Sequence, residues 1–319
     1  MLLDGYYYNI LFIIFFYHII LMNRIVEIDF LKGLAVICMM ISHIGVFGNI
    51  TIKNLIRYKK IKFNLNLKLG DTNIFHFIGV ISHIIFIILV GVNMVSSYHK
   101  TVESKEEMNT NKDTNKDTNK DTNKETNKET NKDTNKETNK EKHVHNFRKR
   151  NQRRALIIIA YGVVMSLIAR VFFGKWYILF GIFQFIGVSI LIAVYFVENY
   201  NIYKIILALL FILISTTLSS TSMVKSSNSS TLYNFLIGKT KEKFMDYFPL
   251  IPYFSYILVG IVAGKCMYKK IDLFNNTFKH RSLNTVAKIG QKALPIYFGH
   301  LIIMFVVVRV CVRKTVIHI

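Results

Sequence analysis

The sequence predicts an all-α protein, a polytopic transmembrane helix bundle of about seven or eight spans. Two observations carry this prediction. The 319-residue chain is 52% hydrophobic, contains only 3 prolines and has a mean hydropathy of +0.33, which is more apolar than a soluble domain usually is. Its apolar residues fall in runs of about 17–25 residues, the length that crosses a hydrocarbon core of roughly 30 Å.

Seven apolar runs define the predicted spans in order along the chain. They cover residues 31–49, 75–97, 154–173, 177–198, 202–218, 247–267 and 288–310. An eighth run precedes them within residues 1–22, and two interpretations fit it. It is an extra N-terminal helix, or it is a misassigned start, since Met22 could open the chain instead.

A low-complexity insert separates the second and third spans. Residues 110–141 are eight copies of Thr-Asn-Lys followed by Asp or Glu. Each copy lacks apolar residues and cannot bury surface to offset the entropy of ordering. We predict a disordered loop at 100–147 that interrupts a transmembrane domain of residues 23–310, followed by a short tail at 311–319.

The charge pattern bears on partners and on orientation. The net charge is +22, but the cations cluster beside apolar runs, as in "FRKRNQRR" and "KCMYKK". Such clusters are typical of cytoplasmic membrane flanks and headgroup contact, so we predict membrane lipid as a partner and no nucleic acid. The cysteines Cys38, Cys266 and Cys311 have no paired spacing, which predicts neither a disulfide framework nor a metal site.

Four polar side chains on four predicted spans fall at one depth. At 1.5 Å per residue, His43 and His300 both lie about 18 Å above the cytoplasmic ends of their spans. His83 and Gln184 lie about 12 Å and 10 Å below the outer ends of theirs. Polar groups at membrane depth are costly, so this layer predicts a functional site. The alternative is that these side chains only hydrogen-bond one helix to another.

Charged residues lie at both ends of this layer. Asp246 opens "DYFPLIPY" at the outer entry of the sixth span, where prolines favour irregular backbone. A histidine beside a carboxylate is suited to removing a proton from an amine or hydroxyl. At the cytoplasmic end, Asp29 and Lys32 share one helix face. They form either an ion pair that anchors the helix or the edge of a site that holds an anionic donor from the cytoplasm.

Several segments, in order along the chain, resemble the heparan-α-glucosaminide N-acetyltransferase catalytic-domain family, especially its prokaryotic multi-pass members. Together they cover most of residues 23–310. The segments are "EIDFLKGLAVICMMISH", "FIGVISHIIFIILVGVNMVSSY", "RRALIIIAYGVVMSLIARVFF" with "ILFGIFQFIGVSILIA", "DYFPLIPYFSYILVGIVAGK" and "VAKIGQKALPIYFGHLIIM".

The resemblance implies a multi-pass acyltransferase of the cell (plasma) membrane. It would move acetyl from cytoplasmic acetyl-CoA, without a metal, to an extracytoplasmic sugar, glycan or lipid-linked acceptor. Catalytic roles would fall to His43, as base or transient acyl carrier, and to His300 and Asp246. The resemblance does not decide whether the chain forms a homo-oligomer. Four further residues complete the predicted site in supporting or binding roles: Asp29 and Lys32 (with Gly33) by resemblance, and His83 and Gln184 by their depth.

The sequence also departs from the family's pattern. Phe47 stands where prokaryotic relatives often have an acid, Gln184 where they tend to have histidine, and "HLI" after Gly299 replaces "HQP". Two other functions therefore stay open: a transporter or flippase for an amphipathic glycolipid, and a non-catalytic membrane scaffold. The chain lacks the internal repeat found in many transporters, which favours the enzyme.

Overall fold

A computed structural model describes residues 25–59, 72–103, 126–173, 178–220, 236–237, 246–268 and 281–316. These residues are helical apart from short connections and one isolated β-bridge, which confirms the all-α prediction. A π-helical turn, His99–Glu103, extends the second helix. The helices are α1 (Ile25–Lys59), α2 (Thr72–Tyr98), α3 (Thr126–Phe173), α4 (Ile182–Glu198), α5 (Ile202–Ser220), α6 (Leu250–Tyr268), α7 (Arg281–Gln291) and α8 (Ala293–Val316).

Length and apolar composition identify the helices that can cross a membrane. Among the described residues, three qualify: Ile28–Gly45, Ile74–Glu103 and Asn139–Phe172. A fourth span is added if α7 and α8 together form one bent span. Helices α4, α5 and α6 contain apolar segments that are shorter than a full span. The chain is therefore a multi-pass membrane protein, and the total of seven or eight spans stays a prediction.

Glycines set the closest helix crossings. A Cβ atom on Gly91 of α2 would collide with the carbonyl oxygen of Ile257 on α6, and one on Gly260 would collide with that of Ile88. The two backbones therefore touch, as small residues permit in membrane bundles. Gly33 of α1 and Gly290 of α7 make a second crossing of this kind, where a Cβ on Gly290 would meet the Asp29 carbonyl oxygen.

Helix α4 lies at the centre of the bundle. Eleven of its 17 residues are buried, including Phe183, Phe185 and Gln184, and it packs against α2, α3 and α6. Large apolar side chains on the outer helix faces, such as Leu207 and Phe211 of α5, are more than half exposed. Lipid tails are as apolar as leucine, so these faces suit contact with the bilayer.

The last predicted span, 288–310, is not one straight helix. The axes of Thr285–Gln291 and Ala293–Val307 differ by 83°, with the break at Lys292. Pro295 falls in the first turn of α8, where its missing N–H has no intrahelical partner to lose. His300 consequently lies about 10 Å into α8, not about 18 Å from the start of a continuous span.

The structure also differs from the predicted disordered loop at 100–147. Residues 99–103 form the π-helical turn, and α3 begins at Thr126 and includes the last four repeats. In the first three of these repeats the acid precedes a lysine by three residues, a spacing that favours a helix. Extending an existing helix also avoids the cost of a new helix nucleus. Residues 104–125 and 1–22 lie outside the described part. Helix α8 continues to Val316, into the predicted tail.

Candidate active site

Three histidines from three helices meet inside the bundle. His43 Nδ1 of α1 and His300 Nε2 of α8 are 3.0 Å apart, so one imidazole donates its proton to the other. Their rings are stacked, with centroids 5.3 Å apart and planes 16° apart. The His83 ring of α2 lies 6.2 Å from that of His43. The structure thus brings together three of the four side chains of the predicted layer.

His83 is oriented by its own helix. Its Nδ1 lies 2.6 Å from the carbonyl oxygen of Gly79, one turn earlier. A carbonyl oxygen only accepts, so Nδ1 carries the proton, which leaves Nε2 as the acceptor of the neutral ring. The Phe248 ring packs 5.4 Å away and covers the other side. His83 therefore presents a defined tautomer beside the His43–His300 pair.

Gln184 is hydrogen-bonded away from the histidines. Its Oε1 accepts from the Gly181 N–H at 3.0 Å, and its Nε2 donates to Ser166 Oγ at 2.7 Å. These bonds satisfy one free N–H at the start of α4 and tie α4 to α3. The amide of Gln184 thus stabilises the start of α4 and its packing on α3. The predicted membrane depth of Gln184 did not indicate this role.

Asp246 is held at the N-terminus of α4. Residues 180 and 247 form a parallel β-bridge, and the Phe248 N–H donates to the Phe180 carbonyl oxygen at 2.9 Å. This pairing brings Asp246 Oδ2 to 3.4 Å from the Ile182 N–H. Burial raises the pKa of Asp246 to about 6, although the backbone N–H groups of Ile182 and Tyr247 oppose that shift. The carboxyl group can therefore change its charge near neutral pH.

Sequence reasoning missed Tyr297. Its ring lies 4.8 Å from the ring of His300 and 5.8 Å from that of His43. Phe183 of α4 packs against it at 5.4 Å. The available signal was the spacing of Tyr297 and His300, which puts both on one face of the last helix.

A second feature lies toward the predicted cytoplasmic end. A cavity of about 240 Å³ opens beside the α7–α8 bend, where Gly290 and Leu294 line it. Lys32 Nζ donates to Asp29 Oδ1 and to Asn93 Oδ1, each at 3.1 Å. Sequence reasoning missed the contribution of α3, whose basic cluster was the available signal. The polar lining residues are Asp29, Lys32, Asn93, Asn151, Arg154 and Gln291.

The two features match different chemical tasks. The cavity offers the cations Lys32 and Arg154 to an anionic group, whereas the histidine cluster offers proton acceptors. Across the described ranges, no group of three or more His, Cys, Asp or Glu side chains has the arrangement of a metal site. The side chains of the two features supply charge and proton acceptors to a ligand.

Comparison with known proteins gives one family. The family model described as "Heparan-alpha-glucosaminide N-acetyltransferase, catalytic" matches residues 24–302, well over half of the chain. No curated protein and no solved structure matches. The match includes the helices that supply the three histidines, Asp246 and the cavity, and confirms the resemblance seen in the sequence. The chain therefore belongs to the heparan-α-glucosaminide N-acetyltransferase catalytic-domain family of acetyltransferase-like membrane proteins.

Proposed function

We propose that this chain is a plasma-membrane acyltransferase that uses cytoplasmic acetyl-CoA. It transfers the acetyl group to a sugar, glycan or lipid-linked acceptor on the other side of the membrane. The observation that carries the proposal is the His43–His300 pair, whose ring nitrogens lie 3.0 Å apart between α1 and α8. Family membership supports the reaction class, since the family generally uses acetyl-CoA as its donor.

The histidine pair suits the proton transfer that acetylation requires. The acceptor's amine or hydroxyl forms a bond to the acetyl carbon, the carbon–sulfur bond breaks, and CoA leaves as the thiol. The acceptor's proton has to be removed, and a neutral imidazole has a ring nitrogen that can accept it. His43 acts as this base or carries the acetyl group transiently, while His300 holds its ring in place. The carboxyl group of Asp246 supports the charge that develops.

The cavity near the predicted cytoplasmic end suits the anionic part of the donor. Lys32 is already positioned by Asp29 and Asn93, and Arg154 projects from the facing helix α3. Phosphate groups favour such cations, and arginine offers them a planar set of N–H donors. Along α1, His43 lies 11 residues beyond Lys32, a rise of about 16 Å. An extended pantetheine arm would have to cover this distance to bring its thioester to the histidines.

The test is acetyl transfer by the purified full chain in proteoliposomes. Radiolabelled acetyl-CoA is supplied with a panel of amino sugars and lipid-linked sugars, and free CoA and labelled products are followed. Wild type should release CoA in an acceptor-dependent manner. His43→Ala should lose this activity by at least about 100-fold, because general-base and nucleophilic contributions are of that order. Label retained on the protein in a brief chase would identify a transient acyl-histidine.

His76→Ala is the matched control. His76 also lies on a helix of the bundle, but its side chain is exposed. It should keep wild-type turnover. Equal turnover by His43→Ala and wild type would contradict the role of His43. Absence of CoA release across the whole acceptor panel would contradict the acetyltransferase and favour a transporter or a scaffold.

A further inference from the structure

The Tyr297 ring packs against both members of the histidine pair. It is 6% exposed and lies one turn before His300 on α8. Its ring plane is inclined 58° to that of His300 and 42° to that of His43, so one aromatic ring contacts both members of the pair. Phe183 holds its other side at 5.4 Å. The ring is thereby fixed between α1, α4 and α8.

The polar end of Tyr297 has a charged neighbour. Asp246 interacts electrostatically with Tyr297, and Asp246 is itself held by the N-terminus of α4. The hydroxyl of a buried tyrosine usually hydrogen-bonds to a polar group, and contacts with apolar rings do not supply such a group. The His300 imidazole is largely buried as well and interacts with the backbone of Ile296 and Tyr297 on its own helix. Tyr297 therefore has both the histidine pair and the Asp246 carboxyl group among its neighbours.

We infer that Tyr297 is a positioning residue of the reaction centre, whose ring orients the His43–His300 pair and whose hydroxyl couples that pair to Asp246. The inference rests on the proposed function. A tyrosine that only fills the core would be replaced by phenylalanine at little cost, because the ring is kept. A coupling hydroxyl predicts instead a catalytic defect that depends on Asp246.

Kinetics of Tyr297→Phe, Asp246→Asn and the double variant test the coupling. Tyr297→Phe should lower kcat about ten-fold or more while the KM for acetyl-CoA stays nearly constant, because the lost hydroxyl acts in the reaction and not in donor binding. The double variant should be close to the worse single variant, since coupled residues are not additive. Tyr161→Phe is the control: its ring packs on Phe298 of the same helix α8 at 4.8 Å. Wild-type kcat in Tyr297→Phe, or losses that simply multiply, would overturn the coupling.

A second measurement tests the orientation of the rings without any turnover. The rate of modification of His43 and His300 by diethyl pyrocarbonate is followed by mass spectrometry. Tyr297→Leu should raise this rate relative to wild type, and Tyr161→Leu should not. Equal rates in all three proteins would overturn the positioning role. This result does not depend on acetyl transfer, so failure of the inference and failure of the proposed function remain distinguishable.

Discussion

At the residue scale, the chemistry of the candidate site depends on groups that are held by more than one element. His43 meets His300 across α1 and α8, and Asp246 is tied to α4 from the connection before α6. Each contact joins residues far apart in sequence. The charge of such groups is sensitive to burial, because a low dielectric disfavours the ionised form of a carboxyl group.

Asp246 should make stability depend on pH. Its pKa is raised from 3.8 to about 6 in the folded protein, mainly by burial. Between these values the native state binds more protons at Asp246 than the unfolded state, so this group's contribution to the free energy of unfolding falls as pH rises. It levels off above about pH 6. Asp246→Asn removes this pH-dependent contribution. Its free energy of unfolding should therefore rise relative to that of wild type as the pH increases from 3.8 to about 6.

Thermal unfolding in detergent at a series of pH values measures this difference. Glu141→Gln, which removes a carboxylate from an exposed position of α3, is the control for the change of one charge. It should follow the wild-type pH dependence. A constant offset between Asp246→Asn and wild type at every pH would contradict the raised pKa.

At the element scale, glycine contacts decide where the helices can cross. Gly91 of α2 and Gly260 of α6 bring two backbones together in the middle of the bundle, and Gly33 with Gly290 does the same for α1 and α7. The second crossing places α7 beside Asp29, and both Gly290 and Asp29 line the cavity of about 240 Å³. Close packing in membranes depends on such small residues, because there is little hydrophobic drive between helices in lipid.

Gly91→Ala should therefore destabilise the protein. The added methyl group would meet the carbonyl oxygen of Ile257, and relief would require α2 and α6 to separate. Overpacking of this kind costs about 1–3 kcal/mol. The matched variant is Gly299→Ala, since a Cβ at Gly299 would meet no described atom within 4 Å. Thermal unfolding in detergent should show a lowered midpoint for Gly91→Ala alone, and equal midpoints for both variants would refute the crossing.

At the scale of the whole molecule, the structure separates two functional features along α1. The cavity with Lys32 lies near the predicted cytoplasmic end, and the histidine cluster lies about 16 Å farther along the helix. This separation fits the proposed transfer from a donor on one side of the membrane to an acceptor on the other. Arg153, the neighbour of Arg154 in sequence, is exposed and does not line the cavity.

Donor binding and chemistry should consequently respond to different substitutions. Lys32→Gln and Arg154→Gln should each raise the KM for acetyl-CoA about ten-fold with little change in kcat, because a hydrogen bond to a charged group contributes about 1.5–3 kcal/mol. Steady-state kinetics with varied acetyl-CoA measure this. Arg153→Gln is the neighbouring control and should retain the wild-type KM. A fall in kcat at constant KM in Lys32→Gln would place Lys32 in the chemistry instead.

The sequence by itself determined the all-α membrane class, the family and the residues of the histidine layer. These follow from properties of single helices, since hydropathy sets which segments enter lipid and the rise per residue sets the depth of each side chain. That is why His43 and His83 could be assigned to one level before any contact between them was known, whereas the depth of His300 assumed a straight last span that the structure bends by 83°.

Only the tertiary structure decided what these residues touch. The 83° bend at Lys292, the bonds that direct Gln184 toward Gly181 and Ser166, and the contacts of the Tyr297 ring with both histidines all depend on which helix faces meet. Helix faces are matched by glycine crossings and side-chain packing between distant segments, and no local pattern encodes that matching.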